Sequence, residues 1–238
     1  AGTSIMTFGS TSATQNINTA GKTIDFPIAI NGVGGTVKLL SNLLMGTARA
    51  LTHTNGTLDL NGNTLTVGTT YATGIGTKNL TFNGGTLVCP AATTTAFNNA
   101  NPTGYTTTAG TGTGKISMTA ATAKTFVGGG STYNCTLSND GAGALTISGS
   151  NTFTTIANGV QPTTFIFTAA TTQTVTNFSV SGISGSLVTI QSSTAGSRAT
   201  LSKSTGAVSV VFCAIKDSAA TGGASWAAYT TNLSLIHI

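Results

Sequence analysis

Leu58-Asp59-Leu60-Asn61-Gly62-Asn63-Thr64-Leu65-Thr66-Val67 places two short runs of alternating apolar and polar residues on either side of an Asn-Gly corner. Alternation with period two marks a strand with one face buried. Asn-Gly is a corner because both residues tolerate positive φ. Leu80-Thr81-Phe82-Asn83-Gly84-Gly85-Thr86-Leu87-Val88 repeats the pattern 22 residues after Leu58. Leu145-Thr146-Ile147-Ser148-Gly149-Ser150-Asn151-Thr152-Phe153 repeats it again, 65 residues after Leu80 and close to three such periods. Further strand-like runs lie at 165–167 and 188–190.

A period of about 22 residues with two or three short strands in each period is the pattern of a solenoid. One coil cannot bury its own apolar side, whereas stacked coils bury a continuous column and pair their backbones along the axis. The expected fold is all-β, a right-handed parallel β-helix. Leu58, Leu60, Leu65, Val67, Leu80, Phe82 and Leu87 point inward, and the alternate Thr residues point outward. Asn and Thr from successive coils are expected to form ladders. The alternative is a β-sandwich, since Asn-Gly also favours two-residue hairpins. Residues 91–113, with Pro102, Asn98-Asn99 and a Thr/Gly run, interrupt the pattern and read as a loop or lateral excursion.

Composition agrees. Of 238 residues, 5% are charged, 31 are Gly and about a fifth are Thr, and none is Glu. Thr and Gly form helices poorly, and the good helix formers Glu and Lys are scarce. Disordered chains combine low hydrophobicity with high net charge. Here net charge is +5 and mean hydropathy is +0.25, which points to an ordered chain. The length suits one elongated all-β domain over residues 1–232.

The chemistry-bearing residues are few. Nine Lys and Arg are spread along the chain, so the sequence pI of 9.3 reflects no dense basic stripe and no nucleic-acid partner is expected. Cys89, Cys135 and Cys213 are odd in number and widely spaced. They read as buried small apolar residues, not a disulfide framework or a metal set. The carboxylates are Asp25, Asp59, Asp140 and Asp217, and no two are close in sequence. Glycoside hydrolysis needs a facing pair. Asp140-Gly141 reads as a turn and Asp59 as an outward strand residue. Lys216-Asp217 with Arg198 resembles half of a lyase site without the calcium-binding carboxylates. His53 reads as a surface or coil-end residue. Gly128-Gly129-Gly130 lacks the Lys that phosphate binding requires. No catalytic residue, cofactor or metal is assigned. No apolar run of 18 or more residues exists, so no membrane span is expected. Trp226 and Tyr229 read either as a cap over the last coil or as a glycan-stacking platform.

Two segments carry a resemblance: 187–203 (Leu187-Val188-Thr189-Ile190-Gln191 through Arg198-Ala199-Thr200-Leu201-Ser202-Lys203) and 215–226 (Ile215-Lys216-Asp217 through Ser225-Trp226). They resemble the C-terminal part of Thr/Gly-rich repetitive proteins of tailed bacteriophages and environmental bacteria. The resemblance is close over the last quarter and one of texture elsewhere. It implies a structural role in a virion or at a cell surface, and brings no catalytic or binding residues with it. The expected function is a non-enzymatic phage structural protein, fibre-like or decorating. Its expected partners are other virion or surface proteins and cell-surface glycans, and it can form a homo-oligomer. The alternatives are a secreted bacterial adhesin on the same β-helix and a polysaccharide-degrading β-helix enzyme.

The chain starts at Ala1 without Met, and no apolar export core follows. Residues 233–238, Leu-Ser-Leu-Ile-His-Ile, break the Thr/Gly texture. They read as the translation of CTG-TCT-CTT-ATA-CAC-ATC, a transposon end used to prepare DNA for sequencing. The segment is expected to be an adapter scar, which would make His53 the one native histidine.

Overall fold

The computed structural model describes residues 4–91, 95–229 and 232–233. Among them there are strands and no helices, wound into about ten coils of roughly 22 residues. Every pairing between named strands is parallel, as a solenoid requires and a hairpin-built sandwich does not. Antiparallel contacts are confined to isolated bridges inside two tight loops, Ile183–Ser186 and Thr194–Ser197.

Three faces make up each coil, and the inward residues of each face form a file. On the first face the file runs Met6, Ile28, Leu51, Tyr71, Phe97, Phe126 and Ile147, each in register with the next. On the second face Val37, Leu58, Leu80 and Thr107 are in register. On the third the file is Leu43, Leu65, Leu87, Ile116, Leu137, Ile156 and Phe178. All seven inward residues expected from the sequence are fully buried. Aromatic rings stack directly along the first file, with Phe97 and Phe126 centroids 4.4 Å apart and Tyr71 5.2 Å from Phe97. Such pairs add about 0.5–1.5 kcal/mol to what area burial supplies.

Several strands run round a corner and serve two faces. Ile28–Leu39 and Leu51–Asp59 join the first face to the second, with register shifts between Ile30 and Thr36. Thr132–Asn139 and Thr152–Asn158 join the second face to the third, with a shift between Tyr133 and Thr136. The second face therefore changes allegiance halfway along the column. At the junction Thr107 substitutes for missing ladder bonds. Its hydroxyl donates to Thr132 O at 3.2 Å and accepts from Asn134 N at 2.7 Å, while Asn134 Nδ2 donates to Thr107 O at 2.6 Å.

The corners use the expected chemistry. Asn61 and Asn83 have φ of 49° and 48°. Asn61 Nδ2 and Asn63 Nδ2 both donate to Leu39 O of the preceding coil, at 3.0 and 3.1 Å. Asn55 Nδ2 donates to Asn31 Oδ1 at 2.8 Å, one rung of the expected ladder.

Two expectations need correction. Residues 91–113 are not a lateral excursion. Phe97–Asn98 and Tyr105–Thr108 are strands of the column, with Phe97 and Tyr105 buried. The interval is simply a long coil, 29 residues from Phe97 to Phe126 against 20 from Leu51 to Tyr71. Residues 92–94 lie outside the described set. Second, the three sequence repeats do not all stack on one another. Leu58 lies on Leu80 and Leu65 on Leu87, but Leu145–Ser148 stacks between Lys124–Val127 and Thr163–Phe167 on the first face. The third copy is displaced by one face because the long coil intervenes. Of the expected scar, residues 234–238 lie outside the described set; Asn232–Leu233 pairs with Ala214 and Ile215.

Candidate functional site

Trp226 and Tyr229 lie on Ser225–Tyr229, which pairs in register with Ala207–Val211 on the third face. Spaced three apart, they point to opposite sides of one strand. Trp226 continues the inward file, with its ring centroid 5.9 Å from Phe178 and its Nε1 buried without a partner among the described residues. Tyr229 is 58% exposed. The structure does not assemble them into one stacking platform.

His53 corrects the expectation of a surface residue. It is fully buried, with Nε2 3.0 Å from Gly56 O and Nδ1 2.8 Å from the Tyr71 hydroxyl. A carbonyl only accepts, so Nε2 carries the proton and donates, and Nδ1 accepts from Tyr71. Burial pushes the imidazole down to about 4 and keeps it neutral. Nδ1 ties the coil to the next through Tyr71, and Nε2 pins the corner of its own strand through Gly56 O.

Lys78 and Lys124 are buried too, which the sequence reading did not foresee. Lys78 Nζ donates to Gly76 O and Thr103 O at 2.9 and 3.0 Å. Lys124 Nζ donates to Ala120 O and Gly143 O, both at 2.8 Å, and more weakly to Gly141 O. Each ammonium ties two consecutive corners through carbonyl oxygens that no strand satisfies. Burial pushes Lys124 down to about 8 against the opposing pull of Asp140, and lowers Lys78.

The four carboxylates stay apart in role. Asp25 pairs with Arg49 Nε at 2.9 Å. Asp59 Oδ1 accepts from Asn61 N and Asn83 Nδ2, both at 2.8 Å. Asp140 is more than a turn residue. It pairs with Lys115 at 2.7 Å, accepts from Ser138 at 2.6 Å and takes a very short bond from Ser117. Burial pushes its carboxyl up, but Lys115 and the two serines together hold it below the ordinary range. Asp217 is buried, and neither Arg198 nor Lys216 forms an ion pair with it. No two carboxylates share a partner. The three cysteines are free and buried, and burial raises their thiols. Among the described residues no three His, Cys, Asp or Glu cluster as metal ligands, and no helix is long and apolar enough to cross a membrane.

One shallow groove opens at the corner between the first and second faces, where Ile75 and Thr77 of one coil meet Asn101 and Pro102 of the next. Lys78 pins its two rims together through Gly76 O and Thr103 O.

No family model matches the chain, and neither a curated protein nor a solved structure matches it.

Proposed function

We propose that the chain is a non-enzymatic structural rod of a phage particle, fibre-like or decorating, whose hydroxyl-rich surface makes weak contacts with glycans. The observation that carries this reading is where its scarce ionisable groups are used. His53, Lys78, Lys124 and Asp140 each bind groups of a neighbouring coil or corner and so serve the stiffness of the column. The resemblance of residues 187–203 and 215–226 to phage and environmental repeat proteins supports placing that rod on a particle. Continuous parallel pairing also suits a part that must resist proteolysis outside a cell.

Antibodies raised against the purified chain test the reading. Immunogold labelling of intact particles from the source community is the expected result. Labelling confined to bacterial surfaces would replace the virion role with the adhesin role. Cleavage of any glycan by purified protein would overturn the non-enzymatic reading.

A further inference from the structure

The second face is chemically unlike the other two. Its strands present Thr-X-Thr outward, as in Thr106-Thr107-Thr108 and Thr152-Phe153-Thr154, with the middle residue buried. Thr172-Gln173-Thr174-Val175-Thr176 extends the motif to three outward threonines. The registers place these hydroxyls in a straight file, Thr132 against Thr152, Thr152 against Thr174 and Thr174 against Ser202. Thr108 stands in register with Thr81 in a second file. The third face also turns threonines outward, Thr64, Thr66, Thr86, Thr136 and Thr155, but Lys115 interrupts their file and Leu44, Val88 and the Lys115–Asp140 pair stand among them. Outward positions on the first face include Ala29, Ala72 and Ile166.

Parallel stacking turns the files into a two-dimensional net. Neighbouring rungs are about 4.8 Å apart, and outward residues on one strand about 6.6 Å apart. Threonine is stiff at χ1, so its hydroxyl and methyl repeat with the backbone. The face also fixes its own rotamers, since Thr106 Oγ1 and Thr108 Oγ1 both lie 3.2 Å from Asn79 Oδ1. Between Asp59 and Lys203 no strand residue of this face turns a charged side chain outward: Lys78 is turned inward and buried, and the Lys203 ammonium, which donates to Thr176 O, marks the edge of the net.

We propose that this face binds ice. Each hydroxyl offers one donor and two acceptors to water, and each methyl favours a caged water arrangement beside it. The spacing along the axis lies close to the repeat between equivalent oxygens in hexagonal ice. A neutral net can join such a lattice, whereas a charged side chain holds a hydration shell of its own. The face bears no aromatic ring to stack on sugar, so a crystalline polysaccharide is the lesser fit. The inference rests on the fold alone and is independent of the particle assignment.

The test is thermal hysteresis and ice-crystal shaping by the full chain, with circular dichroism to confirm that each variant keeps its strands. Wild type is expected to shape crystals and show hysteresis. Thr152→Lys with Thr174→Lys places charge in the centre of the net and abolishes both effects. Thr152→Val, which keeps the methyl and shape, weakens them. Thr86→Lys on the third face leaves them unchanged. Absence of hysteresis and shaping in wild type overturns the proposal, as does equal loss from Thr86→Lys. Binding of wild type to crystalline cellulose or chitin without any effect on ice would also overturn it and assign the face to polysaccharide.

Discussion

Lowering the pH should weaken this column through His53. The folded imidazole is held down to about 4, whereas an unfolded histidine titrates near 6.5. As pH falls, the unfolded chain therefore takes up the proton first, and stability drains away. The contribution is complete above pH 6.5 and declines as pH falls toward the folded value. With 1.36 kcal/mol per pK unit, the loss is about 2 kcal/mol by pH 5 and about 3 kcal/mol by pH 4. Against a typical stability of roughly 5–15 kcal/mol this is a large share. The structural cause is specific. A second proton on Nδ1 would turn an acceptor of the Tyr71 hydroxyl into a donor, in a site without water access. Asp140 acts in a different window, because its carboxyl sits below the ordinary range and weakens the fold only at lower pH. Urea unfolding at pH 7.5, 6, 5 and 4.5 measures the effect, with His53→Gln as the non-titrating reference. Wild type should lose stability steadily below pH 6.5, and the variant should be flatter over the same range. Equal slopes in the two proteins would refute the reasoning.

Other residues give sharper structural tests. Phe126→Ala empties a fully buried site between Phe97 and Phe153 and should cost about 3–5 kcal/mol in urea unfolding. Lys124→Met leaves the Ala120 carbonyl without its donor and the Gly143 carbonyl with only the longer bonds from Asn139 and Thr163, and should destabilise at pH 7 by about 1–3 kcal/mol. Because folded Lys124 lies near 8, below its unfolded value, its own contribution rises from about pH 8 toward 10 and partly offsets the loss caused by the raised thiols of Cys89, Cys135 and Cys213, so wild type should fall less steeply than Lys124→Met over that range. Above that, the raised phenols of Tyr71, Tyr105 and Tyr133 steepen the fall in both, visible in the same pH series of melts. Gly68→Ala sets a Cβ 1.8 Å from Gly46 O and should cost more than about 1–3 kcal/mol, whereas Gly9→Ala meets nothing within 4 Å and should stay within about 0.5 kcal/mol.

The alternation around Asn61-Gly62 was enough to read the column, because inward Leu and outward Asp or Thr differ strongly in polarity. The same logic failed over residues 91–113. Tyr105-Thr106-Thr107-Thr108 places threonine on both sides of one strand, so period two is invisible in the letters. Lys78 and Lys124 were illegible for another reason. Their burial depends on carbonyls of Thr103 and Gly143, brought close by the next coil and not by local sequence. His53 is similar, since its Tyr71 partner is 18 residues away. The separation of Trp226 from Tyr229, by contrast, was already legible in strand alternation. The threonine net needed the registers, because Thr132, Thr152 and Thr174 become neighbours only once coil lengths are known.

The central claim is parallel stacking of successive coils, and cysteine pairing tests it most directly. Thr64 and Thr86 are outward register partners on adjacent rungs, within the Cα separation a disulfide accepts. Thr81 and Thr86 would face each other instead if Asn83-Gly84 turned a hairpin. The account predicts that the Thr64→Cys/Thr86→Cys protein oxidises readily to an intramolecular disulfide while the Thr81→Cys/Thr86→Cys protein does not. Oxidation of the second pair without the first would contradict it.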